Sequence, residues 1–410
     1  MTAGQAPHTV AHLMTSVSRG GLELYVRELI VKLHGAGVKQ VVVCDKNAFM
    51  VTELKSLGIP CEFITPGSRY SFARMAKLRS IDRRHGVTVW HSHQRDDMIL
   101  VALAFFFRKK LRHVFSLYMG FAKKKDLLHR MVYRRVEKLV TTSELMNSLA
   151  RERLPVTPAQ IQCIRYGREH QAFDVPPPKV RAARKAMGGK AGQKIVISLC
   201  RLDPMKGVRE FVEAARLLDS RMRGKYTFVQ IGERTITGYN AEGNPVYLPE
   251  SEDVYRQLIA AERGAKSSAR FKLLPFQKDF IPYLKAADYF VLGSYDEMYS
   301  LSMIDAMMAG CSVVGTDNGG TTEQLSGGRK SSKTGGVRAD TGVHAAERGI
   351  LIDSKSATAI ADALIYAEKH PAEKKRMQKA AHDWVMAEHT WKAVLPQWLD
   401  LYGNGVTETI

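Results

Sequence analysis

The sequence predicts an α/β fold built as two domains, each a parallel sheet flanked by helices. Three observations carry this reading. At 410 residues the chain exceeds what one hydrophobic core serves comfortably, and two domains of about 150–200 residues are the natural division. Short β-type runs alternate with stretches of helical periodicity in both halves, the pattern of strands joined by crossover helices. The alternation breaks at Pro176-Pro177-Pro178 and then restarts, which marks a linker.

Taken in order, residues 8–14 read as the first strand and Ser18-Arg19-Gly20-Gly21 as a tight turn. Leu22, Val26, Leu29, Ile30 and Leu33 follow at helical spacing. Further strands are expected at 40–44, 61–64, 87–91, 114–117 and 138–142. Beyond the prolines, 194–199 reads as strand, 208–218 as helix, and 226–231, 271–274, 289–292 and 311–314 as strands. Residues 358–402 are largely helical in pattern. Two stretches look inserted. Residues 233–250 are polar and turn-rich, and 326–348 have the composition of a mobile loop. Gly327 to Lys330 is not a phosphate-binding P-loop, because no Gly-Lys-Ser/Thr stands at the required offset behind a strand.

Hydrophobic residues make up 45% and charged residues 25% of the chain, the balance of an ordinary globular protein with real cores. Cys44, Cys61, Cys163, Cys200 and Cys311 are scattered, with no CxxC and no His/Cys group at zinc spacing. A reducing compartment and no structural metal are expected. The first residues lack the order of a signal peptide, and the longest apolar run, 98–107, is too short to cross a bilayer. These features predict a cytoplasmic protein.

Charge is uneven. Residues 1–190 hold 33 Lys and Arg against 14 Asp and Glu, leaving 28 against 27 for the remainder, so the net +20 sits almost wholly in the first half. A field of one sign implies an anionic partner. From Arg108 to Lys138 there are eleven basic residues and two acids, interleaved with Phe115, Leu117, Tyr118, Phe121, Leu127, Leu128, Met131 and Tyr133. That mixture predicts docking on an anionic membrane surface. Nucleic acid is disfavoured as the partner, since no RNA-recognition, zinc-finger or helix-turn-helix signature accompanies the charge.

The most informative segment runs from Ser294 to Gly310. It places Glu297 and Asp305 on either side of a loop-to-helix junction that follows one strand and precedes another. A strand, a hydroxyl-bearing loop and a helix N-terminus suit an anionic ligand, with the two acids accepting from hydroxyls on either side of it. A sugar nucleotide has that chemistry. Asp305 also lies in the apolar run 301–309, where an unpartnered carboxylate is costly.

The segment resembles the donor-site signature of the family 4 retaining glycosyltransferases: Glu, seven residues, Glu, then Ala-Met-Ala-x-Gly and an apolar strand. Arg201 to Gly207 is similar to that family's Arg-x5-Lys-Gly segment, Gly20-Gly21-Leu22-Glu23 to its N-terminal Gly-Gly loop, and Gly319-Gly320-Thr321-Thr322-Glu323 to its Gly-Gly-x-x-Glu. The resemblance spans nearly the whole chain. It implies the GT-B fold: two Rossmann-like domains facing across a central cleft, at 1–178 for the acceptor and 179–385 for the nucleotide sugar. A C-terminal helix, 386–410, returns toward the first domain.

The resemblance also implies roles. Arg201 and Lys206 would neutralise the donor diphosphate, and Glu297 would hold hydroxyls of the transferred sugar. Asp305 would hold the ribose; Ser300, Leu301 and Ser302 would offer amides to phosphate. Gly20 and Gly21 would let the first loop approach the diphosphate, and Gly232 would lie near the base of a UDP- or GDP-sugar. The implied reaction retains anomeric configuration and uses neither metal nor other cofactor. The acceptor would be a glycan or lipid-linked saccharide at the inner face of the cell membrane, in cell-surface polysaccharide or lipopolysaccharide synthesis. Three departures stand out: Asp305 is one methylene shorter than the usual Glu, Met298 and Ser300 replace small glycines, and Tyr118-Met119 stand where many members carry an acceptor-side His. His91, His93 and Tyr118 are the remaining acceptor-side candidates. A sugar-nucleotide epimerase or other non-transferase on the same fold is the competing reading.

Overall fold

The computed structural model describes residues 8–18, 20–65, 67–240, 242–264, 270–327 and 342–403. The chain forms two compact units, Met1–Gly167 with Trp391–Ile410, and Arg168–Thr390.

The first unit is a seven-stranded parallel sheet of β1 (Thr9–Met14), β2 (Lys39–Cys44), β3 (Cys61–Phe63), β4 (Val89–Ser92), β5 (Arg112–Ser116), β6 (Lys138–Thr141) and β7 (Ile161–Cys163), in the order β3-β2-β1-β4-β5-β6-β7. All six residues of β1 are buried, as expected of a strand covered by helices on both faces. The helix Gly21–Gly35 buries Tyr25, Val26, Leu29, Ile30 and Leu33, an apolar stripe at helical spacing. The last helix, Trp391–Tyr402, belongs to this unit and sinks Trp398 and Tyr402 into it.

The second unit contains β8 (Lys194–Leu199), β9 (Tyr226–Ile231), β10 (Ile236–Tyr239), β11 (Pro245–Tyr247), β12 (Arg270–Leu274), β13 (Tyr289–Leu292), β14 (Ser312–Thr316), β15 (Val343–Ala345) and β16 (Ile350–Ile352). Its main sheet runs β12-β9-β8-β13-β14-β16-β15, parallel except for the β15–β16 pair. The helix Val208–Arg221 packs Val208, Phe211, Val212, Ala215 and Leu218 into the core with Phe228 of β9 and Val291 of β13.

In both sheets the strand order reverses direction once, between β1 and β4 and between β8 and β13. At such a switch the loops leaving the two strands diverge to opposite faces and open a crevice at their carboxyl ends. The loops after β8 and β13 are those that carry Arg201 with Lys206 and Glu297.

Two expectations are corrected. Pro176-Pro177-Pro178 is not a linker. Pro177 begins the helix Pro177–Ala186 inside the second unit, where a fixed φ and a missing N–H suit the first turn. The changes of unit fall instead between Gly167 and Arg168 and between Thr390 and Trp391. Within the polar, turn-rich stretch 233–250, β10 and β11 pair as an antiparallel hairpin. The 326–348 segment is not wholly loop, because β15 lies within it; its residues 328–341 lie outside the described ones.

Candidate functional site

The loop after β8 closes with a short turn, Pro204–Lys206, capped by the Asp203 side chain, which accepts from the Met205 amide at 2.9 Å. It ends at Gly207, whose φ of +65° and position 2.0 Å (as a would-be Cβ) from the Gly293 carbonyl admit no side chain. This close approach presses the loop against the end of β13, and the Tyr295 amide donates to the Met205 carbonyl at 2.8 Å. The consequence is direct contact between the two charges: Lys206 Nζ lies 2.8 Å from Glu297 Oε2. Ser294 Oγ donates to the same carboxylate oxygen at 3.3 Å. Burial works against the Lys206 ammonium, but Glu297, by charge and hydrogen bond, holds its pKa above the ordinary lysine value. Arg201 is exposed and near enough to Lys206 to oppose its charge. Among the described residues no hydrogen bond or ion pair holds the Arg201 side chain.

The loop from Gly293 to Ser300 is held from several sides. Thr316 Oγ1 donates to the Ser294 carbonyl at 2.6 Å, Asn318 Nδ2 to the Tyr295 carbonyl, and the Gly320 amide to the Glu297 carbonyl at 2.7 Å. A Cβ on Gly320 would stand 1.7 Å from the Met298 carbonyl, so the Gly319-Gly320 pair is required for this helix start to seat on the loop. Ser300 caps the helix Leu301–Ala309 through its Oγ and the Met303 amide. Its own amide is taken by Gln324 Oε1 at 3.0 Å, while Gln324 Nε2 donates back to the Ser300 carbonyl at 2.9 Å. Of the three amides expected to face phosphate, that of Ser300 is therefore occupied. Those of Leu301 and Ser302, first in the helix, bond nothing among the described residues, and the helix dipole adds positive potential there.

Asp305 does not sit as the sequence suggested. It is 3% exposed, and its two oxygens face the Arg168 guanidinium, Nε to Oδ1 at 2.6 Å and Nη2 to Oδ2 at 2.9 Å. A carboxylate gripped in a fork of two parallel bonds is an internal structural partner rather than an open acceptor for ribose hydroxyls. The Arg168 amide donates to the His389 carbonyl at 2.7 Å, and Tyr299 OH meets His389 Nε2 at 3.2 Å. The start and end of the second unit's chain are thus fastened to the helix that begins at the site. Gly232 has a packing role: a Cβ there would lie 1.9 Å from the Cys200 carbonyl.

In the first unit, Gly20 is the N-cap of the helix Gly21–Gly35. Its amide donates to Glu23 Oε2 at 2.9 Å, while Ser16 Oγ donates to Glu23 Oε1 at 2.7 Å. A Cβ on Gly20 would press on that carboxylate at 2.8 Å. His91, His93 and Tyr118 are all buried, so they are not open acceptor-side groups. They form a network with His12. Gln40 Nε2 donates to the Ile30 carbonyl at 3.1 Å, leaving its Oε1 to accept from His12 Nε2 at 3.0 Å. His12 Nδ1 then accepts from His93 Nε2 at 3.1 Å, and His93 Nδ1 accepts from Tyr118 OH at 3.4 Å. His91 bonds Tyr402 OH at 2.7 Å and Ser116 Oγ at 2.8 Å. One ring nitrogen from each of His12, His91 and His93 lies within 4.8 Å of the other two, and the ring nitrogens are all engaged in these hydrogen bonds. Burial lowers all three pKa values, to about 4 for His12 and well below the ordinary histidine value for His91 and His93, so the rings are neutral.

Asp97 gave no signal in the sequence. It is 1% exposed and accepts from the Thr15 amide at 3.0 Å and Thr15 Oγ1 at 2.7 Å, fixing the loop after β1. Burial raises its pKa to about 6, against the opposing effect of the Thr15 bonds. An acid raised from 3.8 to about 6 by folding binds more protons in the native state within that window. Stability therefore falls as pH rises from about 4 to 6. Asp97→Asn keeps a carbonyl for the Thr15 amide and an NH₂ for the Thr15 hydroxyl oxygen. It is expected to gain on wild type by up to about 3 kcal/mol between pH 4 and pH 7; equal denaturation midpoints across that range would refute the assignment.

Among the residues missed, Gln324 and Arg168 carry no local signature, because their partners lie 24 and 137 positions away. Gly207 and Gly320 could have been found as glycines in fixed positions behind the Lys206 and Glu297 motifs.

The glycosyl transferases group 1 model matches residues 180–384, and that of glycosyltransferase family 4 matches residues 19–171. No curated protein matches the sequence. Among solved structures, a glycosyltransferase from Rickettsia africae superposes with a TM-score of 0.79 at 16% identity, over 99% of this chain and 100% of that one. Anabaena HepE in complex with UDP gives 0.76 at 16%, over 97% and 100%. WaaG, a glycosyltransferase involved in lipopolysaccharide biosynthesis, gives 0.64 at 14%, over 96% and 100%.

Proposed function

Since the chain belongs to the glycosyl transferases group 1 family, with the GT-B fold, we propose that it moves a hexosyl group from a UDP- or GDP-sugar to a glycan or lipid-linked saccharide. The observation that carries the reading is the Lys206–Glu297 pair beside the open amides of Leu301 and Ser302 at the strand-order switch of the second unit. The leaving nucleoside diphosphate gains negative charge as the glycosidic bond breaks. Lys206, Arg201 and the helix N-terminus stabilise that charge where it develops. Glu297, turned from Lys206 toward the sugar, accepts from its hydroxyls and orients the anomeric carbon. With no second carboxylate assigned as nucleophile, attack on the face that the diphosphate leaves retains configuration. Charge neutralisation is assigned to Arg201 and Lys206, with no metal or other cofactor.

The UDP and UDP-glucose in HepE favour a uridine donor, and the likeness to WaaG favours a lipopolysaccharide-type acceptor. No helix among the described residues is long and apolar enough to cross a membrane. The basic stretch 108–138 is read as docking the enzyme on the anionic inner face of the cell membrane. A nucleotide at a hundredfold its Kd adds about 2.7 kcal/mol to the stability of the fold that binds it. UDP or GDP is accordingly expected to raise the unfolding midpoint by several degrees. If neither nucleotide moves it, the donor site is misassigned.

A further inference from the structure

The positive charge of the chain's first half does not all belong to the first unit. Six bases and no acid lie within 179–194, in the helix Pro177–Ala186, the loop after it and the first residue of β8. That loop is braced. Gln193 Oε1 accepts from the Lys190 amide at 3.1 Å and from Thr227 Oγ1 at 3.2 Å, while Gln193 Nε2 donates to the Gly224 carbonyl at 2.7 Å. Arg184 fastens it further, Nη2 donating to the Gln193 carbonyl at 2.5 Å and Nη1 to the Ala286 carbonyl at 2.9 Å. Arg184 and Lys194 share Asp288, at 3.4 and 3.0 Å, and Lys179 lies 3.8 Å from Asp279. The side chains of Arg181, Lys185 and Lys190 are exposed and pair with no carboxylate among the described residues.

With Arg184, Gly189 and Gly192, these three cations line a cavity of about 340 Å³, before β8 and so at the amino edge of the second unit's sheet. We propose that this cavity binds a small soluble anion of the phosphate class, of about pyrophosphate size. A helix C-terminus ordinarily repels an anion through its free carbonyls, but here they are occupied. Those of Ala183, Arg184 and Lys185 accept from the Met187, Gly189 and Gly188 amides at 2.9, 3.0 and 2.9 Å, and that of Ala186 from Lys272 Nζ at 2.5 Å. The amides of Ala191 and Gly192 bond nothing among the described residues. Gly192, at φ +74° with open space where a Cβ would stand, keeps its side of the turn bare. Cations and unspent backbone amides on a braced turn are the donors that phosphate oxygens take. Among the described residues 175–200 no large apolar side chain is exposed, so the apolar half of a bilayer contact is missing and the ligand is a soluble one. β8 leads from the cavity to the loop that carries Arg201 and Lys206. It is six residues long, about 20 Å at ordinary strand rise, so the anion does not compete with a nucleotide at that loop.

Calorimetric titration with sodium pyrophosphate tests the assignment. The donor site is the other place for a diphosphate, so the titration is run on the protein alone and on protein saturated with UDP. Folding of each variant is checked by circular dichroism. Wild type is expected to keep one pyrophosphate site when UDP is saturating. Each exposed cation–phosphate contact contributes up to about fivefold, so Arg181→Gln/Lys185→Gln/Lys190→Gln lowers the affinity of that site on the order of a hundredfold. Lys179→Gln, on the same helix but outside the cavity, stays within about twofold of wild type. The site is misassigned if wild type takes up no pyrophosphate, or if UDP abolishes the uptake. It is equally misassigned if the triple variant binds as wild type does, or if Lys179→Gln loses as much as the triple variant. Failure of UDP itself to bind would bear on the donor site alone, because the triple variant still decides where the pyrophosphate sits.

Discussion

Replacing Lys206 by methionine is expected to lower kcat/KM for sugar transfer by about a thousandfold, the usual loss when a fixed charge facing a departing phosphate is removed. Methionine keeps most of the length and apolar stem, so the turn Pro204–Lys206 and the Gly207–Gly293 contact survive and the loss reports on charge. The ion pair adds a sharper expectation. In the free protein the ammonium is partly neutralised by Glu297 at 2.8 Å, so a bound diphosphate must share Lys206 with the carboxylate. Glu297→Gln removes that competitor. It should bind nucleoside diphosphate as tightly as wild type or tighter while losing transfer, because the sugar hydroxyls lose their charged acceptor. Calorimetry with UDP and GDP, set beside steady-state rates, separates the two variants. Should Lys206→Met retain wild-type transfer, or Glu297→Gln lose nucleotide binding, the division of roles fails.

Arg168→Ala is expected to destabilise the second unit by about 3–5 kcal/mol, the range for removing one partner of a buried ion pair. The cost comes from what is left behind. Asp305 is 3% exposed on a helix that also buries Met303, Ile304, Ala306, Met307, Met308 and Ala309, so its carboxylate loses a bidentate partner where water cannot replace it. Asp305→Ala should cost less than Arg168→Ala, since Arg168 can turn its longer side chain toward solvent. The double variant should cost less than the sum of the two, with a coupling of more than about 1 kcal/mol. Denaturant unfolding of the four proteins tests this. A change below about 1 kcal/mol for Arg168→Ala would mean that the pair holds nothing together.

Much of this molecule is legible along the chain because the signals are local. A strand buried on both faces must be apolar along its length, so β1, β2, β8, β9, β13 and β14 can be read within a residue or two at each end. The short strands β7, β15 and β16 of three residues each have too few side chains to establish a period. The hairpin β10–β11 alternates half-buried with exposed residues and hides behind its polar composition.

Lys206 and Glu297 are legible for another reason. Each sits at a fixed offset from a strand end and a glycine, and the strand-order switch brings those ends together whatever the rest of the chain does. Sequence by itself therefore determined the α/β class, the family and the two charges at the heart of the candidate site. It could not determine what each polar group was already bonded to, because those partners are set by packing between distant segments. Asp305 has the motif position of a ligand acceptor but meets Arg168. His91 and His93 stand at a strand end but turn inward to Tyr402, Ser116 and His12. Only the tertiary structure decided these, since burial and pairing belong to the assembled core and not to any window of sequence.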